Sequence, residues 1–209
     1  MPRVAYSQGD REKIRQALIA AALALMARQG MQHTTVEQIY RAVGISRSFF
    51  YTFFPTKEDL VVEAFYQQQP RVLERLEALL ADPALTWREG AEEFFRQCCQ
   101  GEQSGLAVMS VEEQQLLFRR LSPESFQLFR QRQGQLFAAL LETLGVRPSR
   151  DRVQLFTNLC LSILVIRRSV PQALPFLVPE AADATARCQI RALVDVLAAM
   201  AAEDAAAGG

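Results

Sequence analysis

Helix start and stop signals recur along the whole chain, and this pattern restricts its fold more than any other feature. Thr35 with Gln38 and Thr56 with Asp59 fit the capping box, in which a hydroxyl residue is followed three positions later by an acid or amide. Gly and Pro residues follow the apolar segments at the places where helices end. No segment alternates apolar and polar residues with β-branched enrichment as a strand does. The sequence therefore predicts an all-α protein of about nine helices.

The first helices are short and closely spaced. Asp10 predicts the N-cap of a first helix that runs to about residue 29. The second helix begins after Thr34 or Thr35, and the third covers residues 47–53. Pro55 ends the third helix, because a residue that precedes proline is disfavoured in the α region.

The second and third helices are joined by Gly44-Ile45-Ser46, a turn short enough for a helix-turn-helix. The third helix then projects one face, which fits a DNA major groove about 12 Å wide. Arg47 can bond guanine, and Phe49 can contact thymine methyl groups. The alternative is a helical hairpin packed in a core, which the five aromatic side chains within residues 49–54 would also suit. The predicted DNA-contacting residues are Thr34, Thr35, Arg47, Ser48, Phe49, Tyr51, Thr52 and Lys57.

The stretch TTVEQIYRAVGISRSFFYTFFPTKEDL, residues 34–60, closely resembles the TetR family of bacterial repressors. The resemblance implies a homodimeric, ligand-responsive regulator of transcription with a variable C-terminal domain. Two residues depart from the family pattern, which often has a small residue in place of Phe49 and usually a histidine in place of Phe53. We expect Phe49 to alter the base preference and Phe53 to deepen the packing between the third and fourth helices. The resemblance places Arg47, Ser48, Phe49 and Tyr51 at DNA-reading positions and Thr35, Tyr51 and Lys57 at phosphate-contacting positions.

Residues 1–55 are predicted to form the helix-turn-helix domain, and residues 56–209 a larger helical domain for ligand binding and dimerisation. The larger domain is rich in phenylalanine, and most of these side chains are expected in its core. The resemblance implies a cavity among its middle helices, which would suit an apolar or aromatic small-molecule effector. The predicted cavity residues are Phe65, Tyr66, Phe94, Cys98, Met109, Gln114, Phe118, Phe126, Phe129, Phe156, Asn158 and Cys160.

Apolar stripes on the last two long helices predict a dimer interface, since two helices from each subunit could form a four-helix bundle. A two-fold dimer would present two third helices to a palindromic operator. The alternative is that the stripes pack within one chain. Pro70 predicts a kink near Gln69 in the fourth helix, and a hinge there would link ligand binding to DNA release. The predicted interface residues are Val153, Phe156, Ile163, Ile166, Ile190, Leu193, Val194 and Leu197.

Charge and composition support a DNA partner and weaken other functions. The chain has no net charge, but residues 1–60 carry eight basic and five acidic side chains, which favours a polyanion at that end. With one histidine, His33, and no phosphate loop, nucleophile elbow or metal-ligand spacing, no enzyme activity or cofactor is expected. A regulator of this fold without a small-molecule ligand is the alternative, and an all-α enzyme is a remote one.

The four cysteines form no C-x-x-C pair and are expected as small buried side chains. No apolar run reaches the roughly 18 residues of a membrane span, and no secretory leader is evident. We therefore expect a cytoplasmic protein with no membrane partner.

Overall fold

The computed structural model describes residues 7–100, 107, 109–169 and 178–207. Within these ranges every regular element is a helix and no strand occurs, which confirms the predicted all-α class. A short 3-10 helix covers Pro179–Ala181. The α-helices are α1 (Gln8–His33), α2 (Val36–Val43), α3 (Arg47–Phe50), α4 (Lys57–Leu80), α5 (Trp87–Gln100), α6 (Val111–Arg120), α7 (Pro123–Thr143), α8 (Arg150–Ser169) and α9 (Ala182–Ala207).

Capping side chains begin most of these helices where the sequence indicates. Thr35, Thr56, Ser110 and Ser122 each accept a hydrogen bond from a backbone N–H in the first turn of their helix. The cap of α1 is a correction, because Ser7 caps the helix and not Asp10. Asp10 is the acid of the capping box, and its carboxylate accepts the N–H of the cap residue three positions earlier.

Two other helix boundaries differ from the prediction. Gly30 has φ 77° and ψ 165°, so the helical conformation breaks there, but helical geometry resumes and α1 reaches His33. Positive φ is readily available to glycine, which has no Cβ. The third helix ends at Phe50 and not at Phe53, since the N–H groups of Thr52 and Phe53 bond the carbonyls three residues back. This tighter turn continues the chain to Pro55.

The fourth helix is one continuous element, α4, with Pro70 inside it, and the predicted kink near Gln69 stays a prediction. Helices α1, α5 and α7 all pack along α4. We attribute the continuity of α4 to this packing, since a helix held on several sides by its neighbours tolerates a missing backbone donor. At its far end α4 lies very close to α5, where a Cβ on Gly90 would be 2.7 Å from the Leu79 carbonyl oxygen.

The buried side chains form two cores that α4 connects. The first core joins α1, α2, α3 and the first half of α4, and includes Leu18, Ile39, Phe50 and Leu60. The second core joins the last turns of α4 to α5, α7, α8 and α9. None of the helices in the described ranges is long and apolar enough to span a membrane. Those ranges also hold no group of three or more His, Cys, Asp or Glu side chains that could bind a metal ion.

Candidate functional site

Helix α3 has one side in the core and one side open. Ser46 caps the helix by accepting the Phe49 N–H at 3.2 Å, and its hydroxyl lies 3.1 Å from that of Ser48. Phe50 is completely buried on the core side. The exposed residues on the other side are Ser46, Arg47, Ser48, Tyr51 and Thr52. The buried Phe50 therefore fixes α3 in the core, with its polar face directed towards solvent.

Arg47 is the positive charge on this open face. Its guanidinium carbon lies 6.0 Å from the centroid of the Tyr51 ring, a cation–π contact one helical turn along the chain. Within the described part of the chain, no carboxylate pairs with Arg47. Thr52 donates its hydroxyl hydrogen to the Phe49 carbonyl at 2.7 Å, which leaves the hydroxyl oxygen as an acceptor.

Phe49 is held more firmly than the sequence indicated. Its ring meets the Phe53 ring edge to face, with centroids 5.1 Å apart, and it is half-buried. The Arg11 guanidinium of α1 lies 4.8 Å from the Phe53 centroid and 5.9 Å from the Phe49 centroid. Phe53 thus packs between Phe49 and α1, a contact that was not expected from the sequence. The orientation of the Phe49 ring is consequently set by α1.

Two of the predicted DNA-contacting side chains are already occupied within the chain. Thr34 is 1% exposed and donates its hydroxyl to the Gly30 carbonyl at 2.8 Å, so its side chain is not available to DNA. Lys57 donates from Nζ to the Met31 carbonyl at 2.6 Å, and burial lowers the pKa of this amine below its usual value. Both residues hold the end of α1 in place. Thr35 remains exposed at the first turn of α2, where it forms a capping box with Gln38.

A buried carboxylate joins α6 to the end of α1. Glu113 is 5% exposed, and its Oε1 accepts the Gln32 N–H at 3.0 Å while its Oε2 accepts the Ser110 N–H at 2.8 Å. Gly30 lies directly beside it, and a Cβ there would be 3.0 Å from Glu113 Oε1. One carboxylate therefore caps α6 and binds the kinked backbone that leads into α2.

An ion pair holds the other end of α6. Arg120 donates from Nη1 to Glu58 Oε1 at 2.7 Å, and the Glu58 side chain is only 10% exposed. Glu58 lies in the first turn of α4, immediately after the helix-turn-helix. Helix α6 thus contacts the N-terminal helices at both of its ends.

A largely apolar cavity, called the main cavity here, has a volume of about 450 Å³. It lies among α4, α6, α7 and α8, as predicted for the middle helices. Of the predicted cavity residues, those that line it are Phe65, Met109, Gln114, Phe118, Phe126 and Phe129. A smaller inner cavity of about 160 Å³ lies deeper, and the predicted residues that line it are Phe94, Cys98 and Cys160.

Three predicted cavity residues lie elsewhere. Phe156 is 2% exposed and packs edge to face on Phe95 and Phe137 in the second core. Asn158 is exposed on the outer side of α8. Tyr66 lines neither cavity; its ring packs near Phe129, and the Arg132 guanidinium lies 4.2 Å from its centroid. Burial raises the pKa of this phenol, and its buried oxygen has no hydrogen-bond partner among the residues that the structure describes.

The predicted interface stripes of α8 and α9 face the inside of the chain. Ile163, Ile190, Leu193, Val194 and Leu197 are all at most 4% exposed in the second core, and Phe156 joins them. These residues hold α8 and α9 against α5 and α7, which corrects their assignment and matches the alternative of packing within one chain. Val153 is half-buried beside the same core, and the side chain of Ile166 lies outside the described residues.

Several residues of the site were missed because their roles depend on contacts between distant segments. Gln68 is buried between the cavities, and its amide donates to the Ala107 carbonyl at 2.9 Å and accepts the Ala107 N–H at 2.7 Å. Arg130 lines the main cavity and stays exposed to solvent. The capping box of Ser110 and Glu113 was visible in the sequence. The sequence offers no sign that the same carboxylate also binds Gln32.

Comparison with known proteins agrees with this arrangement. Residues 18–64 match the family model for bacterial regulatory proteins of the TetR family. This segment covers the helix-turn-helix from the middle of α1 to the start of α4. No curated protein sequence matches the chain.

Solved structures share the fold over nearly the whole length. A TetR-family transcriptional regulator from Cytophaga hutchinsonii is 14% identical and has a TM-score of 0.57, with 93% of this chain and 97% of that chain covered. A transcriptional regulator from Saccharomonospora viridis in complex with choline is 17% identical, with a TM-score of 0.55 and coverage of 88% and 96%. RolR in complex with resorcinol is 19% identical, with a TM-score of 0.52 and coverage of 94% and 93%. The predicted architecture, a helix-turn-helix followed by a larger helical region, is thereby confirmed.

Proposed function

We propose that the chain is a repressor of the TetR family of bacterial regulatory proteins, whose family model residues 18–64 match, and that a small molecule releases it from DNA. It binds a palindromic operator as a homodimer through α3, and an apolar or aromatic effector enters the main cavity. The observation that carries this proposal is the position of α6. This helix lines the cavity with Gln114 and Leu117 and holds the backbone of Gln32 through Glu113.

DNA contact is supported by the chemistry of the open face of α3. Arg47 supplies a guanidinium that can bond the two acceptors of guanine, while Ser48 and Tyr51 supply hydroxyls for phosphates or base edges. Thr35 and Thr56, the exposed N-caps of α2 and α4, lie at helix N-termini, which favour phosphate. Fold and family both favour a DNA-binding regulator over an enzyme.

A dimer is supported by apolar side chains that remain exposed after the stripes of α8 and α9 are buried. Leu155 on α8 is 45% exposed, and Val196 on α9 is 39% exposed. A second copy that covers these two helices would form a four-helix interface. Its two-fold axis would set two α3 helices about 34–36 Å apart, the spacing of successive major grooves.

Release follows from the contacts of α6. An effector in the main cavity presses on Leu117 and Phe118, so α6 moves and the bond from Glu113 to the kinked end of α1 moves with it. A shift of a few ångström between the two α3 helices prevents both from entering the DNA at once. Pro70 stays a proposed pivot, since Gln69 beside it lines the cavity. The bound choline and resorcinol of two structural neighbours support a small organic effector.

Selection of bound fragments from random DNA by the full chain tests the proposal. We expect enrichment of a palindrome, with two chains on each fragment. If no sequence is enriched even at low salt, where phosphate contacts are strongest, the DNA-binding proposal is overturned. Replacing Pro70 with alanine then tests the pivot, because unchanged coupling between effector and operator would exclude it.

A further inference from the structure

The polar side chains that line the main cavity include a positive charge but no negative one within the described residues. In the described part of its wall the one charged side chain is Arg130, and no carboxylate is present. The remaining polar side chains are neutral amides, among them Gln69, Gln114 and Gln133. Arg130 has no ion-pair partner within the described residues, and it lies exposed at the rim. Arg130 would attract a negatively charged group of a ligand at the rim and would repel a positively charged one.

The body of the cavity is aromatic, and Arg130 is placed beside it by helix spacing. Phe126, Arg130, Gln133 and Phe137 follow one another at intervals of three or four residues, which puts them on one face of α7. Phe126 meets the half-exposed Phe118 edge to face, with centroids 4.7 Å apart, so the rim also carries apolar surface. A ligand at this point contacts a cation and apolar rings together.

The inner cavity adjoins the main cavity. The side chains that line both the main and the inner cavity are Gln68, Val72, Leu136, Phe137 and Leu164. Beyond this shared wall the inner cavity is almost entirely apolar. Cys98 and Cys160 contribute neutral thiols there, because burial raises the pKa of both. The Gln68 amide bonds Ala107 in both directions and therefore offers a ligand little polarity.

We propose that the cavity takes an amphipathic organic anion, with its charged group at Arg130 and an elongated apolar body that extends through the main cavity towards the inner one. This assignment rests on the proposed function, since it specifies the effector of the same cavity. It excludes cations of similar size, which would meet Arg130 without any carboxylate in the described wall to compensate.

Straight-chain carboxylates from hexanoate to dodecanoate serve as probes, titrated calorimetrically into the full chain. We expect binding to tighten about fourfold for each added methylene until the inner cavity is filled, and then to level off. Octanoate should bind more tightly than 1-octanol, and octyltrimethylammonium should bind more weakly than either. Equal affinity for the three eight-carbon compounds, or no binding by any carboxylate, would overturn the proposal.

Two variants separate the charge from the tail. Arg130→Gln should weaken octanoate about fivefold and leave 1-octanol unchanged, whereas the matched Arg71→Gln, on an exposed arginine outside both cavities, should change neither. Cys98→Leu narrows the inner cavity, so the affinity should stop rising at a shorter carboxylate than in the wild type. If Arg130→Gln leaves the affinity for octanoate unchanged, the proposed contact between the carboxylate and Arg130 is contradicted.

The same compounds are then added to the complex with the selected operator. Carboxylates that bind the chain but leave DNA bound would support the ligand class and contradict release as the proposed function. Release by octyltrimethylammonium but not by octanoate would support the proposed function and overturn the anion assignment.

Discussion

The carboxylate of Glu113 accepts the backbone N–H of Gln32 at 3.0 Å, although the two residues are 81 positions apart in the chain. The acceptor is buried on a helix that lines the main cavity, and the donor lies at the end of α1, just before the helix-turn-helix. This hydrogen bond is one of the contacts of α6 that connect the region that would bind an effector to the region that would bind DNA.

Glu113→Gln should destabilise the fold by about 1–3 kcal/mol. The two carboxylate oxygens accept the N–H groups of Gln32 and Ser110, whereas an amide has one acceptor oxygen, so one N–H group would face an NH₂ that cannot accept it. Urea unfolding gives the free energy. Glu112→Gln, on the exposed neighbour, is the matched control and should stay within about 0.5 kcal/mol of the wild type. Equal loss in both variants would contradict a special role for Glu113.

Arg47→Ala should weaken operator binding by about 1–3 kcal/mol and relax the preference at one base position of each half-site. The guanidinium is exposed on α3 without a carboxylate partner in the described chain, so it is available to DNA. Affinities for single-base operator variants provide the measurement. Arg71→Ala removes the same charge about 21 Å along α4 from its start and should leave the base preferences intact.

Lys57→Met should lower the free energy of unfolding by about 1 kcal/mol, because its half-buried amine no longer bonds the Met31 carbonyl. The dependence of operator affinity on salt should stay unchanged, since the amine is committed to the end of α1. Binding titrations at several salt concentrations test this. A slope reduced by about one would show that Lys57 contacts a phosphate, as the family pattern implies.

The thiols of Cys98 and Cys160 should resist iodoacetamide at pH 8 as long as the chain is folded. The thiolate is the reactive form, and burial raises the pKa of Cys98 to about 12 and that of Cys160 well above its usual value. Mass spectrometry of digested protein locates the label. The chain unfolded in guanidinium is the control, in which all four cysteines should react. Rapid labelling in the native state of Cys160, the buried one of the two, would contradict the burial of the inner cavity.

Asp204→Asn should remove a contribution to stability that is present at neutral pH and is lost in acid. Hydrogen bonds from Arg152 and then from the Arg147 N–H lower the pKa of this carboxyl below its usual value. The folded-state pKa lies below the unfolded one, so the contribution is complete above about pH 4 and is lost as the pH falls further. The difference in Tm between wild type and variant should therefore shrink below about pH 4. Asp195→Asn, in the more exposed pair with Arg88, should show little effect at any pH.

Local interactions explain what could be predicted from the sequence. Capping boxes and helix-ending glycines act over three to five residues, so most helix starts and the break at Gly30 were evident. The open face of α3 also followed from local spacing, since the buried Phe50 and the exposed Ser48, two residues apart, lie on opposite sides of one short helix. The all-α class and the family pattern in residues 18–64 rest on the same short-range information.

Tertiary structure alone decided which partner each side chain meets. An apolar stripe must be buried, but the stripe does not state whether it is covered by its own chain or by a second one, and α8 and α9 turned out to cover theirs within the chain. Thr34 and Lys57 have the chemistry of phosphate ligands, yet the fold brings carbonyl oxygens of α1 to them first. The sequence by itself determined most of the helices and the open face of α3. The bond from Glu113 to Gln32 and the charge of Arg130 at the cavity rim arise only when distant segments pack together.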